Sequence, residues 1–205
     1  GSVGVKTGAD DPALAVIEVT PYRLEEKYTD KRHPDKVEFT NKINEDLARR
    51  DFTVNAIAIS PKSTVVDLFG GQKDLAGKLV RAVGNPEERF SEDALRIMRA
   101  IRLASELDFS MEDKTRDAIK KKAGLLEFVS KERIRDEFIK LIESNVPDRG
   151  IEEMHELGVL KLVLPELEEG IGVTQNKDHV YTVWEHNVRA MAHAVEKKWP
   201  SKIRI

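Results

Sequence analysis

The sequence predicts an α/β head, holding part of a sheet, followed by an all-helical body, α+β overall. Three observations carry that prediction. β-branched and alternating stretches are confined to the first 80 or so residues, apolar spacing turns helical beyond Pro86, and Gly, Asn and Pro punctuate the later segments into units of helix length. The predicted divisions are 1–83 for the head, 84–147 for a first helical unit and 148–205 for a second.

Composition narrows the classes of function. With 205 residues, 40% of them hydrophobic and 35% charged, the chain has the apolar content for a packed core, and disorder is not expected. The 34 basic and 37 acidic residues give a net charge of -3 that conceals local clusters at 49–50, 96–102 and 120–122, so overall charge does not decide for or against a nucleic-acid partner. The absence of cysteine removes disulfides and thiolate chemistry. No apolar run approaches the roughly 20 residues that span a bilayer. The expectation is a soluble, cytoplasmic protein with no membrane partner.

In chain order, "GSVGVKT" and "ALAVIEVT" alternate as strands around the turn-forming "TGADDP", which predicts a hairpin closing at Gly8 to Pro12. Residues 22–39 are densely charged without a period of 2 or 3.6 and read as a connection or lid. "FTVNAIAIS" is a short helix or strand, "TVVDLFG" a strand and "GGQKDLAGK" a turn, with the head ending near Val83. Ala94, Ile97, Met98, Ile101 and Ala104 then recur at helical spacing, with Ser91 as the expected N-cap and Glu92 and Asp93 in the first turn. Further helices are predicted at 112–123, 130–143 and 148–157.

Two stretches carry candidate chemistry. In "NEDLARRDFTVNAIA", Arg49, Arg50 and Asp51 stand directly against Phe52, Val54 and Ile57. Arg50 and Asp51, with Asn55 one turn on, supply donors for a triphosphate and an acceptor for a ribose hydroxyl; the blander reading is a structural Arg50–Asp51 pair. In "FSEDALRIMRAIR", Asp93, Arg96, Arg99 and Arg102 follow one another at i+3 along one side of the helix. Either Glu92 and Glu106 neutralise a solvated stripe, or Asp93 and Arg96 offer an acceptor and a donor fork to a base edge while Arg99 and Arg102 meet phosphates.

Taken together, "EVTPYR", "EDLARRDFTVNAIA", "DLFGGQKDL", "RFSEDALRIMRAIRLASEL" and "ERIRDEF", in this order over residues 16–143, resemble the class II tRNA nucleotidyltransferase and bacterial poly(A) polymerase family. The resemblance implies a partial nucleotidyltransferase-type sheet in the head, a helical neck over 84–147 and the start of a body from 148. It implies CCA addition to the 3' end of tRNA from CTP and ATP with Mg2+, and no nucleic-acid template. Arg50, Asp51 and Asn55 would lie at the sugar and phosphates of the nucleotide, and Asp93 and Arg96 would pair with its Watson-Crick edge. Arg99 would complete the nucleotide-binding set, and Arg102 would bind RNA or phosphate. Asp67, Gly70 and Asp74 match a head-to-neck connector; Arg133, Arg135 and Glu137 match a supporting helix. Glu18 stands where the family has an acidic strand residue near the metals.

The same comparison exposes a departure. Nothing before Glu18 resembles the family's Gly-Gly turn and paired-aspartate strand, and the adjacent Asp10 and Asp11 cannot imitate residues spaced by one, because neighbours on a strand point to opposite faces. The expectation is a chain that starts downstream of the metal-holding segment and is inactive alone. At the other end "HVYTVWEHNVRAMAHA" is similar to the opening helix of an HD-type domain. It spaces His179, His186 and His193 by seven, which a helix returns to nearly one face, but lone histidines on an amphipathic helix are usually not ligands. Poly(A) or A-only addition is the rival activity. A non-catalytic RNA-binding fragment is the rival of another class.

Overall fold

The computed structural model describes residues 2–26, 36–176, 180–200 and 203. The predicted first hairpin is present: β1 (Val3–Lys6) pairs antiparallel with β2 (Val16–Val19), with Val3 opposite Val19 and Val5 opposite Ile17. The turn between them is held locally, Asp11 accepting the Ala13 N–H at 2.9 Å.

Residues 22–39, expected as a connection or lid, start and end as paired strands. β3 (Arg23–Glu26) runs antiparallel to β4 (Lys36–Phe39). Alternation of charged with apolar residues in "KVEF" satisfies a ladder as well as it satisfies a loop, and the charge density hid it. Residues 27–35 lie outside the described residues.

α1 (Ile43–Ala48) leads into a 3-10 turn at Thr53–Asn55 and then a hairpin of β5 (Ile57–Ile59) with β6 (Val65–Asp67). "GGQKDLAGK" corrects the expected turn to a helix, α2 (Gly71–Ala76). Gly70, at φ 76°, turns the chain, and both Asp67 oxygens accept helix-start N–H groups, Gly71 at 2.8 Å and Gln72 at 2.9 Å. At Gly71 a Cβ would stand 2.2 Å from the Thr53 carbonyl oxygen, so only glycine admits this approach.

β7 (Leu79–Val80) pairs in parallel with β8 (Ser110–Met111), a strand beyond the expected end of the head, and two helices cross between them. These are α3 (Pro86–Glu92) and α4 (Leu95–Leu107). The single helix expected from Ser91 is thus broken at Asp93, whose backbone is extended. Asn85, not Ser91, is the N-cap, its side chain accepting the Glu87 N–H with Pro86 in the first turn; Ser91 donates back to the Glu87 carbonyl inside the last turn.

The remaining helices are α5 (Asp113–Lys122), α6 (Lys131–Ile142), α7 (Pro147–Glu156), two short turns α8 (Leu160–Val163) and α9 (Pro165–Glu168), and α10 (Val183–Glu196). α3 packs on α5, α4 on α6 and α7, and α7 on α10. One apolar core runs from Phe52 and Val80 through Phe90, Ile97, Met98 and Ile101 to Leu141, Ile151 and Leu160. Among the described residues the strands form four separate two-stranded ladders, and no helix is long and apolar enough to cross a membrane.

Candidate functional site

The charged segment after α1 is anchored by a carboxylate the sequence reading passed over. Asp46, 4% exposed, accepts from Arg49 Nε and Nη2 at 3.0 and 2.7 Å through Oδ1 and from Arg50 Nη2 at 3.1 Å through Oδ2. Burial pushes its carboxyl group up, but the two guanidinium groups outweigh burial and hold it below the ordinary value. Its spacing of three and four residues from the arginines was the available signal.

Asp51 and Arg50 therefore do not pair with each other. Asp51 Oδ1 accepts the Phe52 N–H at 2.9 Å and Asn55 Nδ2 at 3.2 Å, while Oδ2 takes both Arg99 Nε at 2.8 Å and Nη2 at 2.6 Å. Burial raises the Asp51 pKa, and the Arg99 charge with these hydrogen bonds brings it below the usual carboxylate range. The Arg50 side chain is 44% exposed.

The arginine stripe is an interface, not a solvated face. Arg89 Nη1 donates to the Ala48 carbonyl at 3.2 Å, Arg96 Nη2 to the Arg49 carbonyl at 3.3 Å, and Arg99 to Asp51. Three arginines on α3 and α4 thus stitch residues 48–51 to the helical region. The backbone adds Thr53 N–H to Arg81 O at 2.9 Å and Val83 N–H to Asp51 O at 3.0 Å. Charged residues abut apolar ones here because the segment is a seam: guanidinium groups satisfy its carbonyls while Phe52 enters the core.

Asp93 and Arg96 face different partners. Asp93 Oδ1 accepts the Leu95 N–H at 3.1 Å and Oδ2 accepts from Arg133 Nη2 of α6 at 3.1 Å. Arg96, 10% exposed, donates through Nη1 to Glu92 Oε2 at 2.6 Å and to the Arg89 carbonyl at 3.1 Å. The predicted neutralising pairs at i+4, Glu92–Arg96 and Arg102–Glu106, are both formed. Arg102 is also bound to Glu137 at 2.6 Å. Arg102, expected at RNA or phosphate, is held by Glu106 and Glu137, and Arg99, expected in the nucleotide-binding set, by Asp51.

The connector residues meet as a second anchor. Asp74 accepts from Thr53 Oγ1 at 2.5 Å and Arg81 Nε at 2.9 Å, and Arg81 Nη2 caps the Phe69 carbonyl at 2.7 Å. This fixes the start of the turn that carries Asn55.

Glu18 does not join the others. It is exposed on the β1–β2 ribbon, opposite Gly4. Among the described residues no group of three or more His, Cys, Asp or Glu side chains could hold a metal ion, so these residues do not fit a divalent-metal cage. His179 lies outside the described residues; His193 contacts Glu196 and the Trp199 ring, and both it and His186 are exposed on α10. A cavity of about 320 Å³ beside α1 is lined by Asp46, Leu47, Arg50, Ile57 and Ser60, so of the predicted nucleotide-binding residues it reaches Arg50 alone.

Two family models match the chain: Poly A polymerase head domain over residues 1–81, and probable RNA and SrmB-binding site of polymerase A over residues 108–171. A CCA-adding enzyme of Ligilactobacillus salivarius (strain UCC118) is 49% identical over 155 residues, 73% of this chain and 38% of that protein. A crystal structure of the Bacillus stearothermophilus CCA-adding enzyme in complex with CTP superposes with a TM-score of 0.73 at 34% identity, covering 94% of this chain and 41% of that one. A tRNA nucleotidyltransferase complexed with a primer tRNA and an incoming ATP analogue gives a TM-score of 0.69 at 27% identity, covering 97% and 53%. The chain thus spans about two fifths of the length of the curated relatives it matches.

Proposed function

The chain belongs to the family of tRNA nucleotidyltransferases and bacterial poly(A) polymerases, and from that membership we propose that it is part of a cytoplasmic CCA-adding enzyme, transferring C, C and A from CTP and ATP to the 3' end of tRNA. The observation that carries the reading is the seam. Arg89, Arg96 and Arg99 bind residues 48–51, so the segment proposed to hold sugar and phosphates and the segment proposed to read the base form one surface. We divide the chain into a head over 1–83, a neck over 84–147 and a body from 148.

Each residue has a task within this reading. Arg50, exposed, with Nη2 on Asp46 and Nη1 at 3.5 Å from the Asn55 backbone carbonyl, offers its remaining donors to the triphosphate. Asp51 orients Asn55, whose amide donates to it and leaves the carbonyl oxygen to accept a ribose hydroxyl. Asp93 supplies an acceptor and Arg96 a donor at the base edge. CTP and ATP share an exocyclic amino donor beside a ring acceptor, whereas UTP and GTP present a carbonyl in place of that amino group. A divalent ion, proposed to be Mg2+, would activate the attacking hydroxyl and stabilise the leaving pyrophosphate. The described carboxylates do not assemble a site for it.

Incubating the full-length protein with tRNA lacking its 3' terminus and labelled nucleotides tests the proposal. The expected product carries C, C and then A, with UTP and GTP refused. A long A-tail built on unrelated RNA would replace the reading with poly(A) polymerase, and RNA binding without transfer would replace it with a binding protein.

A further inference from the structure

We infer that Arg133 is a specificity-determining positioning residue: from α6 it orients the Asp93 carboxylate that discriminates between bases. The inference rests on the proposed base-reading role of Asp93.

Asp93 stands in the break between α3 and α4, with extended backbone at φ -138° and ψ 105°. It has no helical turn beneath its side chain to restrict rotation. Two contacts replace that restraint. Oδ1 is tied to the Leu95 N–H, two residues along its own chain, and Oδ2 is tied to Arg133 Nη2, forty residues away. With Arg133 removed, the carboxylate is held at one oxygen only and can turn about the Cβ–Cγ bond. Each carboxylate oxygen carries two lone pairs, so Oδ2 can accept from Arg133 and from an exocyclic amino group together. Arg133 therefore positions the acceptor without occupying it.

α6 is itself fixed against α4 by a second bridge of opposite sign. Glu137, one turn beyond Arg133, binds Arg102, nine residues beyond Asp93. A cation then an anion on α6, facing the anion Asp93 just before α4 and the cation Arg102 on it, sets the register of the two helices. The outer bridge fixes the helix; the inner one fixes the carboxylate. "ERIRDEF" thus has a second task besides packing, carried by one of its arginines.

Base discrimination depends on direction more than affinity does, because a misaligned acceptor still attracts a nucleotide but no longer distinguishes an amino group from a carbonyl. In the full-length protein, Arg133→Met should lower the ratio of kcat/KM for CTP over UTP by roughly tenfold while leaving KM for CTP little changed. Since a single nitrogen makes the contact, Arg133→Lys should restore most of the ratio. Glu137→Gln, which weakens the same helix pair without touching Asp93, should lower thermal stability and leave the ratio in place. Asp93→Ala is measured alongside. If Asp93→Ala relaxes selectivity and Arg133→Met does not, the positioning inference is overturned and the reading of Asp93 stands. If Asp93→Ala itself keeps selectivity, the base-reading proposal fails and the inference goes with it. Equal loss for CTP and UTP in Arg133→Met, unrestored by lysine, would mean that the residue only supports the fold.

Discussion

The β1–β2 ribbon and α4 carry comparable apolar side chains into opposite environments. On the ribbon, Val3, Val5, Ile17 and Val19 form cross-strand pairs on one face and are 46–63% exposed. On α4, Ile97, Met98, Ala100 and Ile101 are fully buried. A short hairpin has too little area to close a core by itself. α4 closes one because both of its stripes are covered, the apolar stripe by α6 and α7 and the arginine stripe by residues 48–51 and Glu137. The lesson is that an apolar pattern marks a surface that can be buried, while the polar partners around it decide whether it is.

The largest expected effect lies where that coverage is complete. Ile101→Ala should cost about 2–5 kcal/mol in urea-induced unfolding, the range for a large core side chain that leaves a cavity. A loss under about 1 kcal/mol would mean that α4 is loosely packed and the contrast with the ribbon is one of degree.

Next comes the seam. Asp51→Asn keeps the side chain's shape and removes the charge that Arg99 meets, and it should cost about 1–3 kcal/mol at pH 7. The sign of the pH dependence follows from the lowered Asp51 pKa. A carboxylate whose folded value lies below its unfolded one stabilises the fold above the ordinary value of 3.8 and loses that contribution as pH falls through the folded value. Wild type and Asp51→Asn should therefore converge in stability below pH 3.8 and differ most near neutrality. A difference that stays constant from neutral pH to pH 3 would show that the pair acts through packing alone.

How much of this was legible in the sequence follows from the range of the interactions. The i+4 pairs Glu92–Arg96 and Arg102–Glu106 were readable because helix geometry brings such residues together. The Asp51–Arg99 pair was not, since its partners are 48 residues apart and no periodicity links them. Ser91 was favoured as a cap by residue type. Asn85 took that place because Pro86 starts a helix six residues earlier and Asp93 ends it. α2 was hidden behind two glycines that read as a turn; its start depends on Asp67, which presents two acceptors to the helix, and on Gly71, which lets the helix approach Thr53. The residues with candidate chemistry were visible through the five ordered segments, but the partners that hold them were visible only where they were local.

A smaller effect is expected at the surface of the helical region. Thr182 caps α10 in a reciprocal arrangement, accepting the Glu185 N–H while the Glu185 carboxylate accepts from the Thr182 backbone. Thr182→Ala should cost about 1 kcal/mol and lower helicity locally, read by amide exchange in residues 183–187. Global destabilisation beyond about 2 kcal/mol would place this helix end inside the cooperative core.

The smallest expected effect returns to the ribbon. Val19→Thr keeps β-branching and hence strand preference, and replaces one methyl group with a hydroxyl on a side chain that is 55% exposed. With the residue half in water, little apolar burial is lost, and the hydroxyl needs no partner because solvent reaches it. Stability should change by no more than about 0.5 kcal/mol, as for surface substitutions generally. The paired residue gives an internal check: Val3→Thr, opposite Val19, should behave alike, and the double substitution should be additive if each side chain meets mainly water. A loss above about 1 kcal/mol for either, or strong coupling between them, would mean that the valine and isoleucine face is covered when the protein folds, and the ribbon would then obey the same rule as α4: apolar face buried, polar edges partnered.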